Sequence, residues 1–283
     1  MLALPARPFD SQPAGHTTVL GAAATKTPLF AVAERDEVRQ RLLDRAETDD
    51  DVVAAAITGS YAVGNADEWS DIDLAFGIAG ALPDALERWT EVLYRDFDAI
   101  HHWDLPWGAT VYRVFLLPGW LQVDIAFTPA AEFGPRGPNW RRVFGETVEV
   151  PPTPPAQRDT LAGWAWVSAL HARRCIERGK PWQAERFITG IREHALALAC
   201  LRLGHPVQYA KGTDLLPRDL TAPYEQTLVR SLEENELRRA LAAAADALAT
   251  ELELSDPPLA ATLRPMLDEL TTQPGDEARP RAR

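Results

Sequence analysis

The chain has 283 residues, 46% of them hydrophobic, with 41 acidic and 29 basic side chains and a formal net charge of -12. This length is sufficient for two domains, and no segment approaches the roughly 20 apolar residues of a membrane-spanning helix. The acidic balance disfavours a long nucleic-acid substrate, which requires a basic surface. An acidic surface attracts polycationic small molecules instead.

The N-terminal residues 1–30 are rich in Pro, Ala and Thr. They lack the charged start and continuous apolar core of a secretory signal, and we expect a loosely held arm. The two cysteines, Cys175 and Cys200, lie in helical patterns and are typical of buried thiols in a reducing compartment. We therefore expect a cytoplasmic protein.

The following segment, residues 31–150, is predicted to form a small domain with a mixed sheet. Apolar residues recur there with the spacing of strands in some stretches and of helices in others. The predicted elements, in chain order, are a helix over 34–46, a strand over 52–58, a short helix over 61–64, a strand over 71–76, a helix over 83–97 and strands over 110–117 and 120–127.

Two features of this domain carry chemistry. The first predicted strand ends at Gly59-Ser60, a turn that can offer backbone N–H groups and a hydroxyl to a phosphate. After a polar loop, Asp71 and Asp73 flank a single isoleucine, so in a strand both carboxylates point to the same face. Two adjacent carboxylates raise each other's pKa unless a cation lies between them. A hard divalent cation with oxygen ligands fits this pair.

The segment from Ile57 to Leu74 resembles the signature of the DNA polymerase beta-like nucleotidyltransferase superfamily. That signature is a hydrophobic residue, Gly-Ser, a spacer, and then Asp-hydrophobic-Asp-hydrophobic. The resemblance implies that Gly59 and Ser60 hold a nucleoside triphosphate, with two Mg²⁺ ions on Asp71 and Asp73. It also implies a third carboxylate on a neighbouring strand.

Asp124 is the candidate for that third carboxylate. It lies in a run from Trp120 to Phe127 whose apolar residues alternate with the period of a half-buried strand. The preceding run ends in Pro118-Gly119, a turn signal, so it would be the hairpin partner that brings Asp124 beside Asp71 and Asp73. A structural aspartate, paired within the fold, is the alternative.

The domain boundary is predicted at a Pro-rich linker, residues 151–158, where four prolines fall within five residues. From residue 159 to 270 the apolar period changes to that of helices, and we predict a helical bundle. The predicted helices cover 161–178, 183–203, 224–232, 237–252 and 259–270. The polar residues 271–283 are expected to form a disordered tail. The predicted fold class is therefore α+β, a mixed-sheet domain followed by a helical bundle.

A catalytic module followed by a helical domain resembles the two-domain nucleotidyltransferases that modify aminoglycosides or lincosamides. In that group the nucleotide and the acceptor lie between the two parts, and some members place a general base on a helix of the second domain. Glu185 is the candidate here, with Thr189 and Arg192 on the same helix face. An ordinary surface pair is the alternative for Glu185, and Asp124 is the rival base.

Lysine is rare in this chain, with Lys26, Lys180 and Lys211 among the 29 cationic side chains. A retained lysine suggests a compact charge facing a phosphate, and Lys211 is the preferred candidate for the nucleotide. Tyr61, beside Ser60, either lies along the nucleotide or packs the turn.

Three tryptophans, Trp103, Trp107 and Trp182, are candidates for stacking on a base or sugar, with nothing in the sequence to choose among them. His101 and His102 cannot both bind one metal from an extended chain and are interpreted as loop residues.

These features predict a Mg²⁺-dependent enzyme that transfers a nucleoside monophosphate, AMP from ATP or the equivalent from another triphosphate, to a hydroxyl of a small molecule such as an aminoglycoside-like antibiotic. Its partners would be the triphosphate and the acceptor, with the protein a monomer or homodimer. Two alternatives stay open, an antitoxin-like enzyme that adenylylates a protein partner and a non-catalytic nucleotide-binding module.

Overall fold

The structure is a computed structural model that describes residues 30–152 and 154–272. The predicted arm and tail therefore lie outside the described residues, except for Phe30, Thr271 and Thr272. The chain divides into two compact units after Thr153. None of the described helices combines the length and the apolar character needed to cross a membrane.

Among the described residues, the first unit contains three α-helices and six strands, and the second contains five α-helices. The strands are β1 (Val52–Thr58), β2 (Ile72–Ile78), β3 (His101–Trp107), β4 (Thr110–Leu116), β5 (Gln122–Pro129) and β6 (Trp140–Gly145). The helices are α1 (Val32–Glu47), α2 (Gly59–Ala62), α3 (Leu82–Asp96), α4 (Arg158–Glu177), α5 (Pro181–Leu203), α6 (Arg218–Thr221), α7 (Glu234–Ser255) and α8 (Pro257–Thr271). The predicted fold class, a mixed-sheet domain followed by a helical region, is confirmed.

The six strands form one mixed sheet in the order β3-β4-β5-β2-β1-β6. β2 and β5 are parallel, with Asp73 paired to Asp124, and the other neighbours are antiparallel. The hairpin of β4 and β5 predicted from Pro118-Gly119 is present, and it places β5 directly beside β2.

One face of this sheet carries the core of the first unit. Alternate residues of β2 and β5, including Leu74, Phe76 and Phe127, pack against Trp89 of α3 and against apolar residues of α1. Because successive residues of a strand point to opposite faces, the intervening residues Asp73 and Asp124 point away from these helices. We call the face that carries these two aspartates the open face.

The second unit is a bundle built around α4, α5 and α7. Their contacts are dominated by buried alanines, with Ile188, Ile191 and Leu248 filling the larger gaps. Small side chains allow helices to approach closely, so the alanine-rich pattern of α7 serves packing.

Two local predictions differ from the structure, which also contains one strand that the sequence pattern does not predict. His101 and His102 lie in the edge strand β3 and not in a loop, because pairing with β4 stabilises a segment in which Asp104 and Pro106 obscure the strand pattern. Residues 140–145, left unassigned, form β6 by pairing with β1. Residues 222–227 form a 3₁₀ helix that ends at Thr227, so the helix predicted over 224–232 is wrong.

Candidate active site

Three carboxylates meet on the open face of the sheet. Asp71, Asp73 and Asp124 can each offer one oxygen such that all three atoms lie within 4.8 Å of one another, and each residue is half-buried. Asp73 and Asp124 are brought together by the parallel register of β2 and β5. Asp71, two residues before Asp73, lies just outside the N-terminal end of β2.

The environment of Asp124 opposes its negative charge. Burial raises the pKa of Asp124 to about 6, the nearby Asp71 charge adds to the rise, and hydrogen bonds from Gln122 offset it only in part. The Gln122 side-chain amide donates to both Asp124 oxygens at 3.0 and 3.2 Å. A carboxylate placed in this way is stabilised in its ionised form by a nearby cation.

Gly59 fits directly against Asp73. Its φ is +64°, a left-handed conformation that favours glycine. A Cβ at this position would lie 1.9 Å from Asp73 Oδ2. The Gly-Ser turn and the carboxylates therefore form one site, although 13 positions of sequence separate Gly59 from Asp73. The absence of a side chain keeps the turn close to the acidic groups.

Ser60 and Tyr61 follow in the short helix α2. No hydrogen bond to the Ser60 hydroxyl is found among the described residues. The Tyr61 hydroxyl, in contrast, is hydrogen-bonded to both Asp36 and Arg35 of α1, and the Arg39 guanidinium lies 3.8 Å from the centre of its ring. The structure thus gives Tyr61 a packing role, and its contact with a nucleotide remains a prediction.

Arg35 is a site-supporting residue that the sequence reading missed. It is 2% exposed, and its guanidinium donates to the carbonyl oxygens of Asp67 at 2.6 Å and Ser70 at 2.9 Å. Ser70 immediately precedes Asp71, so Arg35 fixes the loop that delivers this carboxylate. Its position could have identified it, because Arg35 lies three residues before Val38 on the buried side of α1. A buried cation needs hydrogen-bond acceptors around it.

The donor set fits a divalent metal ion. Three carboxylates supply hard oxygen ligands, which suit Mg²⁺, and the described residues bring no cysteine or histidine into the cluster. Burial and the nearby Asp71 charge raise the pKa of Asp124, and a bound cation would offset both effects.

Two further predicted residues, Glu185 and Lys211, belong to the helical unit. Glu185, near the start of α5, accepts a hydrogen bond from the Thr189 hydroxyl at 2.9 Å, and Arg192 donates to the same hydroxyl at 3.0 Å. The predicted helix face is thus present. Lys211 is exposed in a connection between two 3₁₀ turns. The roles predicted for these two residues are not tested by their positions.

A cavity of about 130 Å³ adjoins the carboxylates on the open face. Its floor includes Ala75 and Ala126, which lie two residues beyond Asp73 and Asp124 on their strands. Tyr112, Arg136 and other side chains form its walls; the remaining lining residues are Thr58, Thr110, Thr128, Glu132, Phe133, Gly134 and Trp140. Small side chains on the floor leave room for a bound group next to the carboxylates.

A larger cavity of about 560 Å³ lies in the helical unit. Its lining mixes apolar and polar residues and includes the ion pair of buried Glu251 with half-buried Arg202. The Arg202 guanidinium donates to both Glu251 oxygens at 2.8 and 2.9 Å. None of the predicted site residues lines it, and its ion pair stabilises the contact of α5 with α7.

Comparison with known proteins agrees with the site geometry. Residues 36–91, which include the Gly-Ser turn and two of the three carboxylates, match the family model described as nucleotidyltransferase domain. Among solved structures, an aminoglycoside 6-adenyltransferase from Bacillus subtilis is similar over 82% of this chain and 96% of its own, with 11% identity and a TM-score of 0.39. Such values carry no conclusion about substrate. No curated protein matches the chain.

The domain match confirms the superfamily resemblance and the predicted enzyme class. The chain carries a nucleotidyltransferase domain, and enzymes of this class transfer a nucleotidyl group from a nucleotide substrate to an acceptor.

Proposed function

We propose, on the premise that the first unit is a nucleotidyltransferase domain, that the protein transfers AMP from Mg²⁺-bound ATP to a hydroxyl group of a small molecule. An aminoglycoside-like antibiotic is the proposed acceptor class. The observation that carries the proposal is the convergence of Asp71, Asp73 and Asp124 beside a turn whose glycine has no room for a side chain.

Asp71, Asp73 and Asp124 would hold the metal ions. When bound, divalent cations neutralise the negative charge that develops on the α-phosphate and on the departing pyrophosphate. The positions of the three carboxylates would fix where on the sheet the metal ions are held. Gln122, through its two hydrogen bonds, orients Asp124 for this task.

The Gly59-Ser60 turn would bind the triphosphate. Backbone N–H groups and the Ser60 hydroxyl can donate hydrogen bonds to phosphate oxygens. Lys211 is proposed as a further cation that contacts the β- or γ-phosphate. Tyr61 supports the Gly59-Ser60 turn through its contacts with α1.

The transfer itself requires a proton acceptor. The acceptor oxygen forms a bond to the α-phosphorus, the bond from that phosphorus to the β-phosphate oxygen breaks, and pyrophosphate leaves. The hydroxyl proton passes to a carboxylate, which we propose to be Glu185. Asp124 is the rival base, but metal coordination would hold it ionised and make it a weak proton acceptor.

The acceptor class is supported by charge. A chain with a net charge of -12 favours a cationic substrate over a nucleic acid, whose phosphates it would repel. Aminoglycosides combine several amines with the free hydroxyl groups that the reaction needs.

The test is incubation of the full chain and Mg²⁺ with each labelled nucleoside triphosphate and a panel of aminoglycosides and lincosamides. Mass analysis should detect an acceptor heavier by one nucleoside monophosphate, with release of pyrophosphate. A labelled protein in place of a labelled small molecule would identify a protein-modifying enzyme. Nucleotide binding without any turnover would identify a non-catalytic module.

A further inference from the structure

The strand register extends the row of the carboxylates to the edge of the sheet. Asp73 pairs with Asp124, Asp124 with Val114, and Val114 with Trp103 of the edge strand β3. Residues paired in this way share a face, so Trp103 belongs to the open face. Two residues further along the strands, Ala75 pairs with Ala126, Ala126 with Tyr112, and Tyr112 with Leu105.

This part of the open face is apolar and exposed. Trp103 is 60% exposed, and Leu105 and Trp107, which follow at intervals of two, are each 47% exposed. We call Trp103, Leu105, Trp107 and Tyr112 the aromatic platform. Large apolar side chains in a contiguous exposed patch mark a binding surface more often than scattered ones do.

Polar groups border the platform on the side of the cavity. Arg136 lies 5.3 Å from the centre of the Trp107 ring, and Trp107 packs beside Tyr112 with their ring centres 6.3 Å apart. Tyr112 also lines the cavity next to the carboxylates. The platform and the cavity are therefore one continuous surface.

The distance from the platform to the carboxylates suits a substrate. Neighbouring strands lie about 4.8 Å apart, and Trp103 is two strands from Asp124, so their backbones are separated by about 10 Å. A sugar-sized ring that rests on the indole would have its edge within reach of a phosphate bound beside Asp124.

The geometry of attack at phosphorus assigns the platform to one of the two substrates. This step rests on the proposed function. In a displacement at phosphorus, the attacking oxygen and the leaving oxygen lie roughly in line on opposite sides. If the Gly59-Ser60 turn, next to β1, holds the departing pyrophosphate, then the acceptor approaches from the other side of Asp124. That side is β4 and β3, with the aromatic platform.

We propose that the aromatic platform binds the acceptor, and that the acceptor is an amine-bearing saturated ring such as an amino sugar or aminocyclitol. The electron-rich face of an indole attracts ammonium groups and the C–H face of such a ring. The stacked ring directs a hydroxyl to the phosphate, while its other polar groups face solvent or the cavity walls.

The experiment measures binding of two probes to the full chain by calorimetry. The first is a panel of streptomycin, kanamycin and spectinomycin, and the second is a Mg²⁺-bound non-hydrolysable ATP analogue. Trp103→Ala should raise the Kd of each panel member that binds by about 5- to 100-fold, the range of aromatic stacking losses on truncation. The Kd of the ATP analogue should stay within about twofold.

Two variants control the comparison. Trp103→Phe keeps an aromatic face and should restore most of the panel affinity. Tyr94→Ala removes a 39% exposed aromatic side chain from α3, on the other side of the same sheet, and should leave both affinities unchanged.

An unchanged panel Kd in Trp103→Ala would overturn the inference, and so would the failure of every panel member to bind a wild-type protein that binds the ATP analogue. Failure of the wild type to bind the ATP analogue would count against the proposed function instead. Panel binding that depends on Trp103 would support the platform in either case.

Discussion

The two faces of the central sheet use neighbouring residues of the same strands for opposite purposes. Toward α1 and α3, β2 and β5 present Leu74, Phe76 and Phe127, which are almost completely buried. Toward the open face they present Asp73, Asp124 and small residues. The helix-facing side stabilises the fold, and this support allows the open face to retain carboxylates that repel one another.

The difference between the two faces shows that residues for stability and residues for chemistry can alternate within a single strand. A substitution on the open face should change metal and nucleotide binding with little loss of stability. A substitution one residue away should do the reverse.

The largest effect is expected at Asp71 and Asp73, at the N-terminal end of β2. Asp71→Asn and Asp73→Asn should each reduce transfer by about 10³-fold or more, because each removes a charge that is proposed to hold the metal and to contribute several kcal/mol in the transition state. For Asp71→Asn, thermal stability without nucleotide should stay equal or rise, since the repulsion between Asp71 and Asp124 is removed. Asp84→Asn, an exposed carboxylate on α3, is the control and should behave as wild type. Wild-type transfer rates in both test variants would end the proposed mechanism.

The next comparison separates the two candidate bases. Glu185→Gln should lower kcat by about 10²–10⁴-fold if Glu185 accepts the proton, with an unchanged Kd for the Mg²⁺-nucleotide. Asp124→Asn should lose metal-dependent nucleotide binding and turnover together. Full activity of Glu185→Gln in steady-state assays would show that Glu185 is not the base and serves only as a hydrogen-bond partner of Thr189.

Adjacent residues of β4 test the two faces directly. Phe115 is completely buried on the helix side, and Phe115→Ala should lower the free energy of unfolding by about 3–5 kcal/mol. Val114 is half-buried on the open face beside Asp124, and Val114→Ala should cost only about 1 kcal/mol. Denaturant unfolding of both variants measures the difference, and similar losses would contradict the assignment of faces.

Two glycines test the close approach of the turn to Asp73. Gly59 and Gly64 both have a positive φ, +64° and +74°, so an alanine strains the backbone at either position. Only at Gly59 would the new Cβ meet Asp73, since nothing lies within 4 Å of a Cβ at Gly64. Gly59→Ala should therefore lower activity by about 10²-fold through displacement of the carboxylate. Equal activity losses in the two variants would show that backbone strain alone is responsible.

The smallest effect concerns pH. The folded-state pKa of Asp124 is raised from 3.8 to about 6, so the folded protein retains a proton that the unfolded chain loses. Without metal, the wild type should therefore lose stability relative to Asp124→Asn as the pH rises from about 4 to about 6. Above pH 6 the Tm of the variant should exceed that of the wild type. Each kcal/mol of difference in the free energy of unfolding corresponds to about 2–4 °C in Tm. Excess Mg²⁺ should reduce this difference, and a difference independent of pH would exclude titration of Asp124 as its cause.

The sequence by itself determined most of the catalytic proposal. Period-2 alternation predicted that Asp71 and Asp73 share a face, and the nucleotidyltransferase prediction came from the resemblance of the Ile57–Leu74 segment to a known signature. The resemblance implied a third carboxylate, and the strand-like alternation around Asp124 made it the candidate. The change to helical periodicity after the prolines predicted the second unit. These patterns are local, because each depends only on residues that are close together in the sequence.

The tertiary structure decided what depends on contacts between distant segments. β3 and β6 exist because β4 and β1 pair with them, although their own residues give weak strand signals. Arg35 supports the loop before Asp71 from a helix 35 residues earlier. Trp103, one of three tryptophans that the sequence could not rank, shares a face with Asp124 only through the register of three strands. Register is set by long-range pairing, and no local property of the chain specifies it.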